Sequence, residues 1–363
     1  MIRPTSCVIN LDNLKLNYRR ISRKKPVIAV VKANAYGHGA VKIARALEKE
    51  GVEIFSVALI EEGIELRKAG IKSSILIGGS VYPFSNFKEV IRHRLTPTIA
   101  SLASGQSLSE MAGTPYPVHV KVDTGMNRIG FASEGAYGNI IKLSKMKNLK
   151  IEGIYTHFPC ADTDRKLTLN QAAKFRKLIK QLSKAGISPK ILHASNTAAE
   201  TFVINTCTHV RPGLGLYGLK PYPSYRGLFP VMSFLSRIVY IRKIKRGERV
   251  SYGGTWKAKR NSVIATLPAG YADGVRRELC AGGEVLIRGR RCPVAGRVCM
   301  DMTMVDVTDL PDARVGDEVV FLGNQGGESI SAFEIADICG TINYEICCGI
   351  SYRVPRLYYR GGA

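Results

Sequence analysis

Between Val27 and Gly213 short apolar runs alternate with stretches of helical periodicity, and nothing else in the chain limits its fold as sharply. The runs are 27–31, 54–59, 74–79, 96–100, 118–123, 151–157, 191–196 and 209–213. Helical patterns follow at 38–50, 61–69, 84–93, 102–111, 135–146 and 169–185, with a short one at 197–203. This makes about eight strand–helix units in roughly 200 residues, the signature of a TIM-type (β/α)8 barrel. A doubly wound open sheet is the competing architecture, and it is weaker because no GxGxxG follows the first strand. Before the series come an opening strand at 6–10 and a helix from Leu11. Beyond Lys220-Pro221 the runs at 234–244, 263–267, 284–288, 302–307 and 318–322 are short, with Gly and Pro between them, and one late helix is expected at 333–339. That pattern predicts a mainly β C-terminal domain. With 222–227 as linker, the expected domains are 1–225 and 226–363.

The run Val27–Val31 is unbroken and rich in β-branched residues, as in a strand buried on both faces, and it ends in Lys32. Burying an ammonium there costs hydration. Either Lys32 meets a carboxylate or solvent, or desolvation keeps its amine nucleophilic toward an aldehyde cofactor. In a barrel the strand C-termini share one rim with the active site. The residues there are Lys32, Tyr36, Lys121, Asp123, Arg128, His157, Asn196, Thr197 and Arg211. Each alone has a structural explanation; gathered at one rim they point to a site.

The net charge of +24 raises the question of a nucleic-acid partner. The basic residues are spread along the chain, however, several of them on the outer faces of expected helices, and no nucleic-acid-binding signature accompanies them. Nine cysteines, with Cys347-Cys348 adjacent and no CxxC, read as reduced thiols, so neither a disulfide framework nor a metal site is expected. No apolar run has the length of a membrane span, and the start lacks the pattern of a signal peptide, so a cytoplasmic protein is expected.

The stretch Ala29-Val-Val-Lys32-Ala-Asn-Ala-Tyr36-Gly-His38-Gly39 resembles the cofactor-lysine motif of the alanine racemases, two-domain fold-type III enzymes that use pyridoxal 5'-phosphate (PLP). The resemblance continues through 121–130, 155–158, 211–218, 250–253, 270–274, 296–301 and 350–356, from about residue 6 to residue 358. It implies a PLP-dependent isomerase that racemises L- and D-alanine for D-alanine supply to peptidoglycan. Lys32 would hold PLP and act on the D-substrate, and Tyr252 would act on the L-substrate, since one side chain does not easily reach both faces of Cα. Arg211 would face the pyridine nitrogen, with His157 beside it. The phosphate would rest on Tyr36, Tyr352, Thr197 and backbone around Asn196, Gly213 and Leu214. Arg128 would bind the substrate carboxylate, and Lys121 matches a position that is often carbamylated. Tyr252, Met300 and Asp301 would enter from the second subunit of a homodimer. Its mouth would be lined by Asp162, His193, Arg277, Arg297 and Tyr352. A racemase for lysine, arginine or serine, and a fold-type III decarboxylase, are the alternatives.

Overall fold

Seven parallel strands follow one another in chain order: Ile28–Val30, Ile54–Val57, Ser74–Ile77, Thr96–Ile99, Tyr116–Asp123, Leu149–Tyr155 and Ile191–His193. Two isolated parallel bridges, His193 to His209 and Val27 to Val210, close them into a ring. The eighth strand is this short because Pro212 has no N–H to extend the ladder, although its carbonyl still accepts from Val30 N–H at 3.1 Å. These features come from a computed structural model that describes residues 2–202 and 205–359. Val203, in the expected helix 197–203, lies outside the described residues, as does the end of the expected domain 226–363. Ile28, Ile54, Leu76 and Ile191 meet in one apolar cluster, while Val30 and Ser56, two residues further along their strands, line the cavity at the strand C-termini.

The helices around the ring are amphipathic for simple reasons. In Ala40–Lys49 the residues Ile43, Ala44 and Leu47 recur at helical spacing and are buried. In Arg165–Lys184 Phe175, Leu178 and Leu182 face inward, whereas Lys177, Lys180 and Lys184 are exposed, a solvated face. Asn10 caps the first helix, Leu11–Ser22, by accepting from the N–H groups of Asp12 and Asn13, both at 3.0 Å.

The second domain is mainly β. Its larger sheet runs in the order Arg290–Pro293, Glu284–Ile287, Glu318–Gln325, Met232–Arg237, Ser6–Asn10, Arg356–Tyr359. The strand Ser6–Asn10 thus departs from the expected division at residue 225. It pairs antiparallel with Met232–Arg237 and parallel with Arg356–Tyr359. A closed barrel offers no free edge to such a strand, whereas the β sheet buries Cys7 and Ile9 completely. A smaller sheet joins Tyr240–Ile244, Ser262–Leu267 and Thr303–Asp306. The late helix spans Ala332–Ile338, and a second, unexpected one spans Asn343–Cys348.

The end of the chain holds the barrel rim. Arg356 Nε donates to the Gly37 carbonyl at 2.9 Å, and the Tyr358 hydroxyl donates to the His38 carbonyl at 3.1 Å. Both nearby glycines are required by contact as well as by backbone. With φ of 81° and 93°, a Cβ on Gly37 would fall 2.2 Å from the Cys347 carbonyl oxygen, and one on Gly39 would fall 1.7 Å from the Tyr358 hydroxyl.

Candidate active site

After the strand Ile28–Val30 the chain enters a left-handed turn: Ala33, Asn34, Ala35 and Tyr36 all have φ between 51° and 54°. Such a conformation costs roughly 1–2 kcal/mol per ordinary L-residue, so the surroundings must hold it. The Glu62 carboxylate accepts from Ala33 N–H at 2.6 Å and from Ala58 N–H at 2.8 Å. The Asn34 side chain accepts from Ala40 N–H at 2.8 Å. His38 stacks on Tyr217, whose hydroxyl donates to the Val30 carbonyl at 2.8 Å. Strain kept this way at one place is a mark of functional sites. Its result is that Lys32 and Tyr36 line the same cavity, of ≈ 410 Å³, at the C-terminal rim of the barrel.

Lys121, Arg128, His157, Asn196, Thr197, Arg211, Gly213 and Leu214 line it too. Ten of the residues expected from the sequence therefore converge on one space. Among the described lining residues are four cations, Lys32, Lys121, Arg128 and Arg211, and no carboxylate. Asp123 is close by, but its carboxylate organises the loop, accepting from the N–H groups of Gly125 and Met126 at 2.8 Å and of Arg128 at 3.1 Å. Burial tends to raise its pKa, and these backbone donors outweigh that and hold it below the usual range.

The cations shape one another's titration. Desolvation lowers the pKa of Lys32, and the charges of Arg128 and Arg211 lower it further. Its side chain opens to the cavity, yet the surrounding protein strips away much of the bulk water. Lys121 is only 2% exposed, and its amine has no hydrogen-bond partner. Desolvation first, then Arg211, brings it down to about 7. Both lie near the Tyr155 ring, with the Lys121 amine 5.1 Å and the Arg211 guanidinium 5.2 Å from its centroid. Arg211 donates to His157 Nδ1 at 2.8 Å and to the Thr156 carbonyl at 3.1 Å. Burial and the guanidinium hold His157 well below the ordinary histidine range, as a neutral ring.

At the Tyr36 end the backbone comes close. A Cβ on Gly213 would lie 2.3 Å from the Tyr36 hydroxyl, so glycine keeps that corner open. Thr197 Oγ1 accepts from Gly215 N–H at 3.1 Å. Asn196 donates to the Phe158 carbonyl at 3.2 Å and accepts from Ala199 N–H at 3.0 Å. Hydroxyls and small-residue backbone at one end, with a lysine amine and two guanidiniums beyond, suit a flat ligand with an anionic tail. PLP, with its aldehyde, phosphate and ring nitrogen, fits that donor set.

Four expected residues lie elsewhere. Tyr252 is 71% exposed, Met300 53% and Tyr352 96%; Asp301 is exposed as well. None lines the cavity. Tyr252 follows Ser251, which holds φ 66° and donates to the Arg297 carbonyl at 2.5 Å. It shares a surface depression with Tyr271, Arg277 and Arg297. Asp301 pairs with Arg353 at 2.7 Å, and Ala272 N–H donates to the Met300 carbonyl at 3.0 Å, so this face is internally braced.

The phosphate contact expected from Tyr352 therefore needs correction within the protomer: Tyr344, and not Tyr352, lines the cavity with Tyr36, 5.9 Å from it between ring centroids. It stands on the unexpected helix Asn343–Cys348, which packs on the lysine turn. The only signal in the sequence was Asn343-Tyr344-Glu345 ahead of a short apolar pair. His193 also departs from expectation. It is fully buried and bonded to Arg211 at 2.6 Å rather than placed at a mouth.

Comparison with known proteins bears on the fold and family of the chain. Residues 9–221 match the family model "Alanine racemase, N-terminal domain", and 231–358 match "Alanine racemase, C-terminal domain". The chain is 44% identical to the alanine racemase of Halothermothrix orenii, covering 98% of this chain and 97% of that protein. It is 43% identical to the alanine racemase of Sorangium cellulosum, with 98% and 99% covered. Among solved structures, the alanine racemase of Clostridium difficile superposes with a TM-score of 0.93 at 39% identity, over 99% of this chain and 97% of that one. The alanine racemase of Bacillus anthracis, solved with bound L-Ala-P, gives 0.92 at 34% identity, with 100% and 97% covered.

Proposed function

This chain belongs to the alanine racemase family of isomerases, and we propose that it interconverts L- and D-alanine with PLP held on Lys32 and with Tyr252 of the partner subunit as second acid–base group. The observation that carries the proposal is the split between the two groups. Lys32 lies in a cation-rich cavity, while Tyr252 stands 71% exposed on the other domain.

Bound there, PLP supplies an electron sink that lowers the cost of losing the substrate's Cα proton. Tyr36, Tyr344, Thr197 and the N–H groups near Gly213 and Leu214 hold its phosphate. Arg211 donates toward its ring nitrogen and, as a guanidinium, has no proton to give up. The absence of a carboxylate from the described lining suits that role. Arg128 binds the substrate carboxylate through its planar fork. The Lys32 amine, its pKa lowered, takes or returns the Cα proton on one face, and the phenol of the partner's Tyr252 does so on the other. Met300 and Asp301 would border the substrate from the same partner. Exposed Tyr252, Tyr271, Met300, Met302 and Tyr352 leave the β domain with apolar surface of the kind a subunit interface covers. This supports a homodimer with shared sites.

A buried amine whose pKa is brought down to about 7 is partly neutral there and can add CO₂ and lose a proton, so we further propose a carbamate on Lys121 that orients Arg128. A carbonyl signal from ¹³C-bicarbonate that survives in Lys121→Met would rule it out. No helix among the described residues is long and apolar enough to cross a membrane. The proposed setting is the cytoplasm, with D-alanine supplied to peptidoglycan synthesis.

The test is a panel of L-amino acids, including alanine, serine, lysine and arginine, incubated with the protein and PLP and resolved by chiral chromatography. D-alanine should form fastest. Racemisation of lysine or arginine ahead of alanine, or of nothing at all, would overturn the proposal.

A further inference from the structure

Arg211 is a buried cation, 8% exposed, and among the described residues no carboxylate pairs with it. Leaving such a buried charge uncompensated is strongly destabilising. Here the compensation comes from imidazoles. Arg211 Nη1 donates to His193 Nδ1 at 2.6 Å, and His193 Nε2 lies 2.9 Å from His119 Nδ1. A guanidinium only donates. His193 Nδ1 must therefore present its lone pair, its single proton sits on Nε2, and that N–H donates to His119 Nδ1. His119, accepting there, carries its own proton on Nε2. Burial and nearby positive groups keep both rings neutral: His193 well below the ordinary range and His119 at about 3.

The row is therefore not a proton wire. Each imidazole turns its lone pair toward the guanidinium and its N–H away, two aligned dipoles answering one fixed charge. Tyr155 stacks on His193 at 4.5 Å and 7°, and its hydroxyl is anchored by Thr98 at 2.8 Å, so the ring cannot rotate freely. A carboxylate in place of His193 would neutralise Arg211. The imidazoles stabilise the charge while leaving it whole.

We propose that His119 is a positioning residue for Arg211: by accepting from His193 Nε2–H it locks His193 in the one tautomer that holds the guanidinium, fully charged, toward the cavity. The consequence for reaction rests on the reading of Arg211 as the partner of the cofactor's ring nitrogen; the tautomer lock itself does not.

The test compares His119→Leu, which removes the acceptor, with His119→Asn, whose Oδ1 stands near the position of Nδ1. Nitrogen-15 spectra of the six histidines in the full chain, recorded as purified and after PLP addition, read the tautomers directly. In the unmodified protein His193 and His119 should both show protonated Nε2 and bare Nδ1. In the Leu variant His193 should lose that single pattern, and kcat for alanine should fall about 10-fold, the scale for removing an indirect partner of a site group. KM should change little, and the absorption band of bound PLP should shift. The Asn variant should recover most of both. His193 protonated at Nδ1, or a Leu variant with an unchanged His193 pattern and kcat, overturns the proposal. Should the Leu variant not fold, the native pattern and the Asn variant still decide. Protein that binds no PLP would sink the functional reading, and the histidine spectra would still decide the tautomer lock on their own.

Discussion

The cavity in the barrel and the exposed face of the β domain are built on opposite principles. In the cavity every functional side chain is held by strain, burial or hydrogen bonds: a left-handed turn aims Lys32, Asp123 gathers the loop of Arg128, and imidazoles fix Arg211. On the β domain Tyr252, Met300 and Tyr352 are braced from behind and project outward. On the proposed reading the barrel binds and polarises and supplies Lys32 as its one proton-transfer group at Cα. The other domain would supply the phenol of Tyr252 to a partner's cavity. Neither half would then be a site alone.

The comparison breaks most visibly at Lys32. Lys32→Ala should lose racemisation by about 10⁴-fold or more and lose the borohydride-sensitive absorption of a PLP-bound protein. Retained activity would mean that the cavity is not the reacting centre. Tyr252→Phe comes next, with a loss of about 10²–10³-fold, in the range of a missing acid–base group. Hydrogen exchange at Cα in D₂O should be impaired more for L-alanine than for D-alanine, and equal impairment would remove the two-sided assignment.

The two regions should also differ in acid. His38, His119, His157 and His193 are held neutral by burial, His38 down to about 4 and His119 to about 3. The unfolded chain binds protons on them below about pH 6.5 that the folded chain refuses. Stability should therefore fall as pH drops from about 6.5 toward 4, by about 1.4 kcal/mol per pH unit for each histidine involved. Denaturant unfolding followed across that window measures the slope, and a flat profile would contradict the buried-neutral assignment.

The smallest effect separates two tyrosines. Tyr344→Phe should weaken PLP affinity about 10-fold, the low end of the scale for one hydrogen bond to a charged group, whereas Tyr352→Phe should leave it unchanged. The reverse order, measured by titration of PLP fluorescence, would restore the phosphate role to Tyr352.

Much of this was readable from residue order. Strand–helix alternation marked the barrel, and the strand-end rule alone brought Lys32, Lys121, Arg128, His157 and Arg211 together. Ser6–Asn10 was legible as a strand but not as a member of the second sheet, because nothing local in a strand says which partner waits some 220 residues away. Tyr344 was missed because a six-residue helix carries almost no periodicity. His193 was expected at the mouth from resemblance alone; along a strand one residue decides between rim and core, and here it falls in the core. The left-handed turn at Ala33–Tyr36 is invisible to propensity: alanine and tyrosine do not choose it, and Glu62, Gly37 and Gly39 impose it.

The central claim, that one site is completed by two chains, is tested most directly by mixing two inactive variants. Lys32→Ala and Tyr252→Phe, denatured together in equal amounts and refolded with PLP, should recover about one quarter of wild-type activity. Half of the dimers would then be mixed, and each mixed dimer would hold one intact site of its two. Activity no greater than the sum of the separate variants, from dimers shown to be mixed, would contradict it.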